Sequence, residues 1–188
     1  WMIIGILDRK NNIGIDRFPK KWSAIHGHFD IDRFDQNVKN PFRTVLLRDP
    51  LERAISHYRY WKRAGGVVTH RVEIQYDPTV SFRDFVSLDE LQNYQSMSLG
   101  KVPLECFDVV GVTENLEAFI SDFVHKKGST TSRPNIPAPH LNRSFGEADF
   151  EDLGIDKEFK KKFITINELD YENYQKAQKL CGLHTTLI

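Results

Sequence analysis

Cysteine is nearly absent from this chain: Cys106 and Cys181 are the two in 188 residues, far apart and outside any CxxC pattern. That argues against a disulfide framework or a zinc site, with two buried thiols expected and one bridge left open. An excess of either charge is also lacking, since 26 Lys and Arg balance 26 Asp and Glu. No global pull toward nucleic acid or an anionic membrane follows, so any anion site has to be local. No apolar run approaches the roughly 18 residues of a membrane span, so no transmembrane segment is expected, and "WMIIGIL" is too short and lacks the basic flank of a signal peptide. Internal repeats and long low-complexity tracts are missing too. What is present is a chain 40% hydrophobic and 12% aromatic, long enough for one core, and a single domain over 1–188 is the expectation.

The punctuation along the chain is that of alternating strands and helices. "FRTVLL" and "FDVVGV" are short β-branched runs suited to strands buried on both faces, and each leads straight into a helical pattern. After the first, Asp49 is placed to act as N-cap, Pro50 occupies the favoured first helical position, and Glu52 follows as a capping-box partner. Leu51, Ala54, Ile55, Tyr58 and Trp61 or Lys62 recur at helical spacing as a core face, leaving Arg53, Ser56, His57 and Tyr60 for other faces. After the second strand, Thr113 or Asn115 is the expected cap, Leu116, Phe119, Ile120 and Phe123 form an apolar face, and Gly128 is the stop. "SFRDFVSLDELQNYQSMSLG" reads as one or two helices, "GSTTSRPNIPAPHLNRSFG" as a long polar loop, and the C-terminal "DKEFKKKFITINELDYENYQKAQKLCG" as two short helices. Strand followed by helix, repeated, points to an α/β layer with a mainly parallel sheet.

Two windows carry chemistry. In "TVLLRDPLERAISHYRYWKR" a strand delivers Arg48 next to a helix N-terminus, where free backbone N–H groups and the positive end of the helix dipole suit a phosphate. Ser56, two turns on, adds a hydroxyl donor if its face looks into the same cleft. The plainer alternative is a capping arrangement with Arg48 salt-bridged to a carboxylate. In "AIHGHFDID" the His26-Gly27-His28 triplet sets two imidazoles on one side of an extended chain. A metal site would want further ligands, and the other histidines do not cluster; a general base needs one imidazole near neutrality; a half-buried pair bonded to backbone is the structural alternative.

Taken together, "HGHFDIDRFDQNVKNPFRTVLLRDPLERAISHYRYWKR", "FDVVGVTENLEAFI" and "NELDYENYQKA" resemble the carbohydrate sulfotransferases, most closely the heparan sulfate and uronyl 2-O-sulfotransferases. The specific part is Arg-Asp-Pro-x-x-Arg-x-x-Ser-x-Tyr, which is similar to that family's motif for the 3′-phosphate of 3′-phosphoadenosine 5′-phosphosulfate. The resemblance implies a P-loop-kinase-like parallel β-sheet flanked by helices. It also implies that Arg48 and Ser56 hold the 3′-phosphate, that His28 is the catalytic base with His26 in support, and that no metal takes part. The family's Lys-Thr-Gly-Ser-Thr type loop for the 5′-phosphosulfate is not readable in this sequence, and a missing N-terminal piece is the expected reason. A noncatalytic glycan- or nucleotide-binding domain of the same fold is the alternative, and a P-loop-type kinase is disfavoured because no Walker lysine is visible.

The loop from Gly128 to Gly146 carries Arg133, His140, Asn142, Arg143 and Ser144, donors suited to phosphate or sulfate oxygens. In the resembling family a polar segment before the terminal helices lies over the nucleotide. His140, Asn142 and Ser144 are therefore expected at the cofactor, with Arg133 left toward the acceptor. Arg9, Lys10, Lys20, Lys21, Arg53, Arg59, Lys62 and Arg63 could receive an anionic polysaccharide or form a solvated surface, and Arg53 is assigned with Arg133 to the substrate. The expected partner is thus a carbohydrate or other hydroxyl acceptor, with oligomeric state open. Few cysteines suit a bacterial cytoplasm, the favoured compartment, whereas Asn142-Arg143-Ser144 would be a glycosylation acceptor in a Golgi lumen.

Overall fold

The computed structural model describes residues 40–65, 77, 79–128 and 147–182. Among these residues two strands, β1 (Thr44–Leu47) and β2 (Val109–Val112), pair in parallel with Thr44 opposite Val109 and Leu47 opposite Val112. The helices among the described residues are α1 (Pro50–Arg63), α2 (Phe82–Val86), α3 (Tyr94–Leu99), α4 (Leu116–Lys126), α5 (Glu147–Asp152), α6 (Lys157–Ile166) and α7 (Glu168–Leu180). This is an α/β arrangement: a small parallel sheet flanked by helices. Among the described residues no helix is long and apolar enough to cross a membrane.

Strand alternation decides what covers each face of the sheet. Val45, Leu47, Val110 and Val112 belong to a cluster with Leu99, Leu104, Phe107 and the α7 residues Tyr174 and Ala177. The intervening pair, Leu46 and Gly111, points the other way, toward α4. There the Phe119 ring lies on the glycine itself, and a Cβ at Gly111 would stand 2.7 Å from Phe119 Cβ. The side chain missing at Gly111 is what lets α4 settle on the sheet. The expected apolar face of α4 does form, but Leu116, Phe119 and Ile120 are only half-buried and Phe123 is 37% exposed.

A second and larger cluster gathers α1, α2, α3 and α6. The core face expected for α1 is the one observed: Leu51, Ala54, Ile55, Tyr58 and Trp61 are buried. Trp61 and Phe85 have ring centroids 5.1 Å apart, and Tyr58 and Phe85 5.3 Å, so aromatic contact fills the centre. Phe82 and Phe159 extend the chain of rings to α6 at 5.7 Å. Tyr58 also donates its hydroxyl proton to the Val80 carbonyl at 2.9 Å, so its polar end is satisfied ahead of α2.

Several helix boundaries have local causes. Ser81 and Asp84 make a complete capping box at α2, and the Asp156 carboxylate accepts from Phe159 N–H at 2.7 Å to start α6. Gly128, at φ +68°, follows the end of α4, as its position in the sequence predicts. Asn115 occupies the cap position of α4 without a side-chain cap bond, because residues 113–115 form a single 3₁₀ turn between strand and helix. Both cysteines are free; Cys106 is exposed, contrary to the buried state expected for it, since it ends the short turn 104–106. Cys181 donates to the Val110 carbonyl at 3.2 Å and ties the end of α7 to the sheet.

Gly111→Ala is expected to lower stability by about 1–3 kcal/mol, the usual cost of overpacking. Urea unfolding would show it as a lower midpoint at unchanged slope, and Phe119→Leu in the same chain should recover part of the loss.

Candidate functional site

The ends of β1 and β2 meet at one corner of the fold, the edge at which open α/β sheets place their ligands. Arg48 follows the last residue of β1, and Asp49 then opens α1 by accepting from Glu52 N–H at 2.9 Å. The capping box expected here is only half made. Glu52 does not return to the Asp49 N–H; it accepts instead from the Arg48 guanidinium, at 3.1 Å from one terminal nitrogen and 3.4 Å from Nε. The Asp49 N–H goes to Glu114, which stands just past the end of β2, at 3.2 Å. A charged partner four residues along the helix competes well for Glu52, and Glu114 takes over the N–H that is left.

Three carboxylates, Asp49, Glu52 and Glu114, therefore gather at the strand ends beside Arg48. Burial pushes the Asp49 carboxyl above its ordinary value, with the charges of Glu52 and Glu114 adding to the effect and the Glu52 and Leu51 N–H groups opposing it. Tyr174 of α7 hydrogen-bonds Glu114, and its phenol is held well above the usual range by burial first and by the neighbouring carboxylates second. It remains a neutral donor at any ordinary pH.

Arg48 is fixed from a second direction. Gln95, in the first turn of α3, accepts from Arg48 N–H and donates to the Arg48 carbonyl, both at 2.9 Å. Asp170 of α7, 1% exposed, in turn accepts from Gln95 N–H at 3.1 Å and Ser96 N–H at 2.7 Å. Asn93 and Asn167 complete the joint. Asn93 N–H donates to Asn167 Oδ1 at 2.9 Å, and Asp170 N–H donates to Asn93 Oδ1 at 3.2 Å. Asn93 adopts φ +47°, a left-handed conformation that asparagine tolerates better than most residues.

The site residues expected from sequence divide into two groups. Arg48 and Ser56 both lie at this corner's helix: Arg48, Glu52 and Ser56 follow one another at four-residue spacing, so Ser56, half-buried, sits one turn beyond Glu52 on the same side of α1. Arg53, assigned to the substrate, turns inward. Its guanidinium lies 4.5 Å from the centroid of the Tyr94 ring, and its Nε is buried without a hydrogen-bond partner among the described residues. Burial lowers its pKa, opposed by the charge of Asp170. His57, one turn along, has Phe85 and Tyr94 each at 5.6 Å. His26, His28, Arg133, His140, Asn142 and Ser144 lie outside the described residues.

Gln95, Glu114 and Asp170 carry no local signature and were not singled out from sequence. Gln95 is 47 residues from Arg48, Glu114 is 65 from Asp49, and Asp170 is 75 from Gln95. The one usable sign is polar residues interrupting apolar faces, as Asn167 and Asp170 do ahead of Tyr174 and Ala177. Among the described residues no group of three or more His, Cys, Asp or Glu is arranged to hold a metal ion. The chain is thus an α/β protein with a charged corner at the ends of two parallel strands. It matches no protein-family model, no curated protein and no solved structure.

Asp49→Asn tests the electrostatics of the corner. Asparagine caps as well as aspartate but carries no charge to bury. A carboxyl with a raised pKa in the folded state stabilises that state below its unfolded pKa and loses the benefit as pH rises through the folded value. The variant is therefore expected to gain stability over the parent at neutral pH, and the gain should shrink as pH falls toward the ordinary aspartate value of 3.8. Denaturant titrations at several pH values would show it; a gain that grows on acidification contradicts the account.

Proposed function

We propose that this chain is a sulfotransferase that moves a sulfuryl group from 3′-phosphoadenosine 5′-phosphosulfate to a carbohydrate hydroxyl. The observation that carries the proposal is the position of Arg48: at the end of a parallel strand, directly ahead of a capped helix, with Ser56 on the same side of that helix. That Arg48 and Ser56, the two residues of the Arg-Asp-Pro-x-x-Arg-x-x-Ser motif assigned to the 3′-phosphate, share one side of this junction supports the reading. The strand–helix order is compatible with a P-loop-kinase-like sheet, which is the fold this proposal entails.

In the proposed reaction His28 takes the proton of the acceptor hydroxyl as its oxygen attacks sulfur. The bond from sulfur to the bridging oxygen breaks, that oxygen keeps the electron pair, and adenosine 3′,5′-bisphosphate leaves. His26 supports the base, and His140, Asn142 and Ser144 contact the nucleotide. Of the residues assigned to the acceptor, Arg133 is retained; Arg53, its guanidinium over the Tyr94 ring of α3 and near the charge of Asp170, is better suited to bracing α1 against α3. The phosphate enters by sharing or replacing Glu52 as partner of the Arg48 guanidinium, an exchange of one charge-assisted pair for another.

The Arg48–Glu52 ion pair itself favours a second reading: a junction that only caps α1, in a noncatalytic domain of this fold that binds a glycan or nucleotide elsewhere. Calorimetry separates the two. Arg48→Ala should weaken adenosine 3′,5′-bisphosphate binding roughly ten- to a hundredfold, the loss of a charged hydrogen-bonding partner, while adenosine 5′-phosphate binding changes little. Equal losses for both nucleotides would reduce the junction to a cap. His28→Ala is expected to abolish transfer with bisphosphate affinity nearly intact, since the imidazole acts on the acceptor proton; full turnover by that variant would remove His28 from the mechanism.

A further inference from the structure

The Gln95 carboxamide brackets Arg48 so that both backbone polar groups of the residue bearing the guanidinium are held by one side chain. The last register pair of β1 with β2 is Leu47 with Val112, and at the peptide that follows the amide acts as a neighbouring strand would, as acceptor to the N–H and donor to the C=O. The amide is itself held, because Gln95 lies in the turn of α3 whose N–H groups are capped by the buried Asp170 carboxylate. A half-buried Gln with both ends of its carboxamide at 2.9 Å from a single residue fixes position and direction together.

We propose that Gln95 is a positioning residue for Arg48, setting the height and direction from which its guanidinium leaves the end of β1. Its functional consequence rests on the nucleotide reading above: with the bracket open, Arg48 still carries its charge but no longer stands where the 3′-phosphate binds. Asp170 and α7 thereby act on the nucleotide site at one remove, through the start of α3.

Two variants separate the halves of the bracket. Gln95→Glu keeps the acceptor for Arg48 N–H and loses the donor to its carbonyl; Gln95→Met keeps the length and loses both. Amide hydrogen exchange followed by NMR is expected to show the Arg48 N–H protected in the parent and in Gln95→Glu and fast in Gln95→Met. The Val109 N–H, which donates to the Arg43 carbonyl at the other end of β1, should stay protected in all three and report that the fold is intact. In calorimetry Gln95→Met should lose about tenfold in affinity for adenosine 3′,5′-bisphosphate, the scale of one or two net hydrogen bonds, with adenosine 5′-phosphate affected far less. An Arg48 N–H as protected in Gln95→Met as in the parent overturns the proposal, as does a parallel loss for both nucleotides. If the parent shows no preference for the bisphosphate, the nucleotide reading fails, and Arg48 exchange alone decides whether Gln95 positions the strand end.

Discussion

The arrangement at the strand ends depends on one buried carboxylate. Asp170 is enclosed almost completely, and it accepts from the first free N–H groups of α3 while facing the Arg53 guanidinium. A buried charge persists only when it is hydrogen-bonded and opposed by another charge, and both conditions are met. Through this contact the C-terminal helix sets where α3 starts, α3 sets where Gln95 points, and Gln95 sets the peptide at Arg48. Removing one partner would leave the other charge buried and unmatched, so the joint is far less tolerant of change than its few hydrogen bonds suggest.

The corner that results is balanced rather than basic. Its guanidinium meets Glu52, its helix start is capped by Asp49, and Glu114 ties the first strand's exit to the second strand's. On the proposed reading, an anion arriving there would exchange partners with carboxylates instead of filling a positive void. That makes placement more important than net charge, and it gives the Gln95 bracket its value.

Packing divides the labour differently. Aromatic rings on α1, α2 and α6 form the larger cluster, whereas the sheet contributes a smaller one shared with α7. α1 belongs to both the aromatic cluster and the charged corner, because one side of it carries Leu51, Ile55, Tyr58 and Trp61 and another carries Glu52 and Ser56. Its rigidity in the core is what makes its first turn a fixed platform. On the opposite side of the sheet, α4 approaches closely only because position 111 lacks a Cβ.

Much of the local structure was legible in the residues themselves. β-Branched runs specified both strands, helical spacing specified the buried face of α1, and Asp49-Pro50 specified its start, because each depends on interactions within a few residues of chain. The strand-to-helix order likewise pointed to an α/β layer with parallel pairing, since a crossover between consecutive strands leaves little alternative. Which carboxylate takes the Arg48 guanidinium, where the Asp49 N–H goes, and that Arg53 turns inward to Tyr94 were decided by tertiary structure alone. Gln95, Glu114 and Asp170 come from segments that meet only when the helices pack, and no periodicity or spacing rule connects residues so far apart along the chain. Local propensity is written in neighbouring residues; the partner of a buried polar group is set by whichever distant element packing brings within hydrogen-bond reach.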